Sequence, residues 1–80
     1  MKKYVLTVVD TGYDSNFVPH VLGIFDTKDE AEAEYVKDFD NLRDAAMEME
    51  IDEEDYEKRS LIVDGGRYGA VWNIEEVEIN

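Results

Sequence analysis

The fold of this chain is decided by residues 26–59, which read DTKDEAEAEYVKDFDNLRDAAMEMEIDEEDYEKR. The stretch contains the only long helical pattern in the sequence. It opens with a capping box, in which the Thr27 hydroxyl accepts a hydrogen bond from the Glu30 amide and the Glu30 side chain reaches back to the backbone of Thr27. Acidic side chains in the first turn are also stabilised by the positive end of the helix dipole. We therefore predict a helix that begins directly after Thr27.

One face of the predicted helix is apolar. Its members recur at spacings of three and four residues: Ala31, Tyr35, Phe39, Leu42, Ala46 and Met49. This period is typical of an amphipathic helix that covers a sheet, and it predicts a helix to about Glu50. Residues 47–51 also alternate with the period of a strand, which is the competing interpretation of that segment. Beyond it, Asp52 is predicted to cap a short second helix over residues 53–59.

The remaining sequence is typical of β-structure, because β-branched and aromatic residues gather in short runs between turn formers. The predicted strands are residues 3–10, 17–25, 60–64 and 67–74, with a short terminal strand at 77–79 after a bulge or turn at Glu75-Glu76. Both faces of the first strand are apolar, which favours a central position in the sheet. Pro19 places part of the second strand at an edge or a bulge. Gly65-Gly66 predicts a two-residue hairpin between the next two strands.

Together these elements predict a single α+β domain over residues 1–80, in the order ββα(α)ββ. An antiparallel sheet of about four strands is expected to carry the one long acidic helix on one face, as a two-layer sandwich. Trp72 offers the largest apolar area in the chain and is expected to anchor the core under the helix. The opposite face of the sheet carries Val5, Val9, Val21 and Val71. That face is a candidate for homodimerisation if no other element covers it.

The charge of the chain narrows the classes of partner. The chain has 21 acidic and 8 basic residues, a formal net charge of −13. Such a charge repels the phosphates of nucleic acids and membranes and speeds encounter with basic surfaces. We therefore expect a basic protein surface as partner, and no direct binding to nucleic acid or membrane. A cytoplasmic location is expected, since the N-terminal apolar run is too short for a signal sequence and no stretch approaches the ~20 apolar residues of a membrane span.

No pattern in the sequence supports catalysis or a resident cofactor. Cysteine is absent, which excludes thiol nucleophiles, disulfides and zinc–thiolate sites. His20 is the only histidine, and without a catalytic partner it is expected on the solvent side of a strand. The acidic run 52–55 lacks the alternating ligands and the glycine of a calcium-binding EF-hand loop. We predict a non-enzymatic protein without a cofactor or a bound metal.

The acidic residues of 26–59 exceed the needs of solubility, for which a net charge of about 2 to 8 suffices in a small domain. Carboxylates on successive helical turns can stand in for DNA phosphates, which present one charge per ~1.7 Å of axis. The side chains predicted to contact a basic partner are Glu30, Glu34, Asp38, Asp40, Asp44, Glu48, Asp52, Glu53, Glu54 and Asp55. The alternative is a structural or regulatory domain that homodimerises through a sheet face, with the acids serving solubility.

The acidic segments Asp29–Glu34, Asp38–Asp44 and Glu48–Glu57, on a short chain without cysteine, resemble the small phage-encoded inhibitors of host defence. These are the anti-CRISPR and anti-restriction proteins that mimic DNA. The segment VLGIFDTKDEAEAEY, at residues 21–35, is similar to a strand and capped helix found in small phage proteins of unknown role. The resemblance implies an inhibitor in the host cytoplasm, whose acidic helix blocks the basic groove of a nucleic-acid-binding defence protein.

Overall fold

The computed structural model describes residues 1–13, 15–46 and 48–79. The elements are β1 (Lys2–Asp10), β2 (His20–Phe25), α1 (Lys28–Ala45), β3 (Ile51–Asp55), β4 (Ser60–Val63) and β5 (Tyr68–Glu78), with a 3₁₀ turn at Asp64–Gly66. The strands form one antiparallel sheet in the order β2-β1-β5-β4-β3. The α+β class, the antiparallel sheet and the central position of β1 are therefore confirmed. The sheet has five strands where about four were predicted.

The two ends of the chain form the centre of the sheet. Strands β1 and β5 pair in unbroken register, with Leu6 opposite Ile74 and Val8 opposite Trp72. The predicted break at Glu75-Glu76 is wrong, since these residues pair with β1 without any shift. Glu76 reaches the ammonium group of Lys2 at 3.0 Å. The change in sequence pattern thus reflects polar pairing at the end of a continuous strand.

Helix α1 packs on one face of the sheet and encloses an aromatic core. The buried hydrophobic residues among those described are Leu6, Ala31, Tyr35, Phe39, Leu61, Val63, Ala70 and Trp72. The Trp72 side chain is 2% exposed, and its ring centroid lies 5.5 Å from that of Tyr35 and 5.2 Å from that of Phe39. Its predicted position under the helix is confirmed. Full burial of each large apolar side chain contributes about 1.5–3 kcal/mol to stability.

The helix begins where the sequence predicts. Thr27 is the N-cap, and its hydroxyl oxygen accepts a hydrogen bond from the Glu30 amide at 3.2 Å. The carboxylate of Glu30 differs from the prediction, because it accepts from the Thr27 hydroxyl at 3.0 Å. The cap thus fixes the entry of the chain into the helix from β2.

The helix was predicted to reach about Glu50 but ends earlier. Ala45 is its last residue and Ala46 is its C-cap. The helix predicted over residues 53–59 is also wrong, since Ile51–Asp55 is strand β3. Pairing with β4 decides the conformation, with Ile51 opposite Val63. These cross-strand hydrogen bonds and contacts outweigh the weak helical preference of the acidic residues. Met47, in the segment with competing interpretations, lies outside the described residues.

The hairpin between β4 and β5 is confirmed, but its connection is longer than the predicted two residues. Val63 pairs with Tyr68, so residues 64–67 make the turn. Asp64, Gly65 and Gly66 have positive φ angles of 55°, 65° and 93°. Glycine adopts these angles without steric cost, which explains the Gly-Gly pair.

The second face of the sheet is uncovered in the part of the chain that the structure describes. By alternation with the buried residues Leu6 and Trp72, it carries the four valines predicted for it. Exposure is greatest on edge strand β2, where Val21 is 63% and Ile24 62% exposed.

Candidate binding surface

Three of the acidic residues predicted to contact a partner, Glu30, Glu34 and Asp38, lie on α1 at spacings of four. They become less exposed toward the C-terminal end of the helix. Glu30 is exposed, and the Glu34 carboxylate lies 3.7 Å from the ammonium group of Lys37. Asp38 is half-buried and accepts a hydrogen bond from the Trp72 indole at 2.8 Å. Residues four apart advance by about 40° around a helix, which carries the row toward the sheet. Asp38 therefore helps to fix Trp72 and is not part of an outward row of charges.

The structure joins three of the predicted carboxylates around one guanidinium. Arg43 lies 2.9 Å from Glu54, 3.3 Å from Asp40 and 3.7 Å from Asp44. The Tyr56 hydroxyl donates to Asp40 and accepts from Arg43, both at 2.5 Å. We call these five residues the Arg43 cluster. It links α1 to edge strand β3, and three carboxylates against one guanidinium leave it negative.

Two pKa shifts follow from this arrangement. The hydrogen bond to Glu54 raises the pKa of Arg43, which keeps the guanidinium charged. The hydrogen bond to Asp40 raises the pKa of the Tyr56 phenol, which keeps that hydroxyl protonated. The guanidinium therefore stays charged and the phenol stays neutral over the whole physiological pH range.

The remaining predicted acids lie apart from one another. The period of two in β3 separates Asp52 from Glu53, and each has its own local partner. Asp52 accepts from the Gly65 amide at 2.6 Å, and Glu53 accepts from the Ser60 hydroxyl at 2.8 Å. Asp55 caps the turn after β3 by accepting from the amides of residues 57 and 58, each at 3.0 Å. Glu48 is exposed in the turn after α1.

The hydrogen bonds and ion pairs described above do not neutralise the acidic residues of α1 and β3. The chain has 8 basic residues against 21 acidic ones, so a large negative excess persists even if every cation pairs. A hydrogen bond from an amide or a hydroxyl leaves the charge of a carboxylate in place. The field around α1 and β3 remains negative and attracts basic surfaces.

An apolar groove at the end of α1 is a feature that the sequence pattern did not predict. Its volume is about 390 Å³, and its apolar walls include Val8, Leu22, Leu42, Ala46, Val63 and Ala70. Asp10, His20 and Asp38 also line it. We call this cavity the groove. It lies between the C-terminal part of helix α1 and the sheet.

Small residues leave the space that the groove occupies. Ala46 on the helix side and Ala70 on the sheet side line it with small side chains. Gly69 contributes only backbone, and a Cβ atom there would lie 2.6 Å from the Thr11 hydroxyl and 2.9 Å from the Leu61 carbonyl. The two alanines belong to distant segments, and only the tertiary structure brings them together.

The described residues contain no group of three or more His, Cys, Asp or Glu side chains that could hold a metal ion. His20 is exposed, as predicted, at the rim of the groove. Within the same residues, no helix is both long enough and apolar enough to cross a membrane.

No protein-family model, curated protein or solved structure matches this chain. The resemblance to phage-encoded inhibitors therefore stays a prediction from the acidic segments.

Proposed function

We propose that this chain is a non-enzymatic binding protein whose acidic surface occupies a basic site on a nucleic-acid-binding protein. Its carboxylates take the place of phosphates and exclude the nucleic acid, as an inhibitor of host defence would require. The observation that carries the proposal is the Arg43 cluster, which fixes carboxylates of α1 and β3 on one surface.

The energetics of the cluster favour a role in binding over a role in stability. Asp44 is 72% exposed, and the Arg43 side chain is 30% exposed. Ion pairs at an exposed surface contribute only about 0–1 kcal/mol to folding. Carboxylates that are already held in place lose little conformational entropy when a basic partner binds. The attraction is screened over about 10 Å at 0.1 M salt, so the proposal requires salt-sensitive binding.

Charge reversal on the helix tests this proposal. The variant Glu30→Lys/Glu34→Lys/Asp44→Lys changes three partly or fully exposed residues and spares the hydrogen bond of Asp38. The control variant Glu75→Lys/Glu76→Lys/Glu78→Lys makes the same change in net charge on β5. Each protein is immobilised, and retention of nucleic-acid-binding proteins from a bacterial lysate is compared at low and at high salt.

Wild type and the β5 variant are expected to retain basic nucleic-acid-binding proteins at low salt, and the helix variant to lose them. Duplex DNA added in excess should compete for the retained proteins. Equal loss in both variants would show that net charge alone acts. Absence of any basic nucleic-acid-binding protein at low salt would refute phosphate mimicry.

A second candidate function is homodimerisation through the uncovered sheet face, with the acids serving solubility. The supporting observation is that Val21 and Ile24 are 63% and 62% exposed on the same face as Val5 and Val9. Such exposed apolar patches mark interaction sites. Light scattering after size exclusion tests it, because a strict monomer at high concentration would contradict a stable dimer, whereas a dimer abolished by Val21→Glu would support it.

A further inference from the structure

We propose that the groove receives an apolar side chain from a basic segment of the partner, whose neighbouring lysine or arginine contacts Asp10 and Asp38. The inference rests on the proposed function and adds an apolar anchor to it. The partner recognised in this way is a protein segment that combines one large apolar residue with flanking cations.

The size and lining of the groove fit such an anchor. A cavity of about 390 Å³ lies at the low end of the ~300–1,000 Å³ that is typical of ligand pockets. Leu22 is 40% exposed and Leu42 is 41% exposed, so an inserted side chain would bury apolar surface that is otherwise in water. The hydrophobic effect therefore favours an apolar occupant.

The charges around the groove select a cationic neighbour for that side chain. Carboxylates of Asp10 and Asp38 lie in its lining, which includes no lysine or arginine among the described residues. Asp38 gives one oxygen to the Trp72 indole, and its carboxylate retains further acceptor sites. Arg67 lines a neighbouring depression, which shares Asp10 and Tyr68 with the groove.

The C-terminal end of helix α1 also favours a cation beside the groove. Ala46, the C-cap of α1, lines the groove. The last carbonyl groups of a helix carry partial negative charge and favour cations. A second copy of this chain is disfavoured as occupant, since each copy carries a net charge of −13. A basic segment is the occupant that the charges complement.

Synthetic peptides test the inference directly. The probe is a short lysine-rich peptide with one central leucine, and its reference is the same peptide with a central alanine. Binding is followed by ¹H–¹⁵N spectra of the chain during titration at low salt. The leucine peptide is expected to bind about tenfold more tightly, which corresponds to partial burial of one leucine. Its shifts should include the amides of Leu42, Ala46 and Gly69.

Two matched variants locate the effect. Ala46→Leu places a large side chain in the groove and is expected to abolish the leucine preference while charge-driven binding persists. Ala33→Leu makes the same substitution at an exposed helix position and should leave the preference intact. Leu42→Ser removes an apolar side chain from the lining of the groove and is also expected to abolish the preference for the leucine peptide.

The outcomes separate the inference from the proposed function. Equal affinity for both peptides would overturn the anchor site and leave the acidic surface standing. A leucine preference with shifts confined to β2 would also overturn it, because the uncovered sheet face would then be the apolar site. Lack of binding to either peptide would contradict both proposals.

Discussion

Helix α1 meets different surroundings on either side of Phe39, and we call the helix up to Phe39 the closed half and the shorter part after it the open half. In the closed half, Tyr35 and Phe39 are 2% and 0% exposed and pack against Trp72. In the open half, Leu42 continues the same amphipathic stripe but is 41% exposed above the groove. A helical stripe therefore predicts which side of a helix faces the sheet. It does not predict whether the sheet fills the space beneath.

The difference arises from the residues opposite each half. The closed half faces Leu6 and the indole of Trp72, which fill the layer between helix and sheet. The open half lies above Ala70 and is followed by Ala46, and these two small side chains leave the layer unfilled. The closed half therefore supplies most of the packing energy, and the open half keeps surface available for a partner.

The largest effect is expected from Phe39→Ala in the closed half. Loss of a fully buried ring costs about 3–5 kcal/mol, because both transfer energy and a cavity are involved. Urea unfolding monitored by circular dichroism measures the change. Val36→Ala is the matched control on the outer side of the helix, where the side chain is 40% exposed, and it should cost below about 1 kcal/mol. A similar loss of unfolding free energy in both variants would contradict the burial of Phe39 between helix and sheet.

The hydrogen bond between Trp72 and Asp38 joins the closed half to the groove. In Trp72→Phe, a half-buried carboxylate loses its indole donor, and the free energy of unfolding should fall by about 1–3 kcal/mol. Asp38→Asn retains an acceptor for the indole and is expected to cost less. A double-mutant cycle in urea that combines Trp72→Phe with Asp38→Ala, each of which removes the bond, checks the coupling. Strict additivity of the two substitutions would show that the bond contributes nothing.

The Tyr35 phenol gives the closed half a pH dependence. Burial raises its pKa to about 12, above the ordinary value of about 10 in the unfolded chain. Above pH ~10 the unfolded state therefore binds fewer protons than the folded state, and stability falls as the pH rises through the folded pKa. We expect a loss of about 2–3 kcal/mol over this interval, because one pKa unit corresponds to about 1.4 kcal/mol. Thermal melts should fall less steeply with pH in Tyr35→Phe, and equal slopes would contradict the assignment.

Sequence patterns were sufficient for the features that depend on local chemistry. The Thr27 cap begins the helix, and Trp72 is the largest apolar group available for the core. Strand β3 was not predictable in this way, since four acids in five residues have weak strand propensity. Its pairing with Leu61 and Ser60 of β4 decides the conformation.

The same limit applies to the candidate site. A helix over residues 53–59 would place the acids of this segment together near its N-terminus. The strand separates them instead and brings only Glu54 to Arg43. The groove requires Ala46 and Ala70, which are far apart in the chain, to line one cavity. Both features depend on tertiary pairing, which local propensity does not contain.

The smallest effect is expected from Leu42→Ala in the open half. A buried leucine costs about 2–5 kcal/mol when truncated to alanine, but Leu42 is 41% exposed and borders an existing cavity. We therefore expect a loss below about 1 kcal/mol, or a melting temperature lowered by less than about 8 °C. Leu6→Ala is the matched control, because Leu6 is 0% exposed and its truncation should cost the full amount. If Leu42→Ala destabilised the protein as much as Leu6→Ala, the groove would be closed in solution and could not admit a partner side chain.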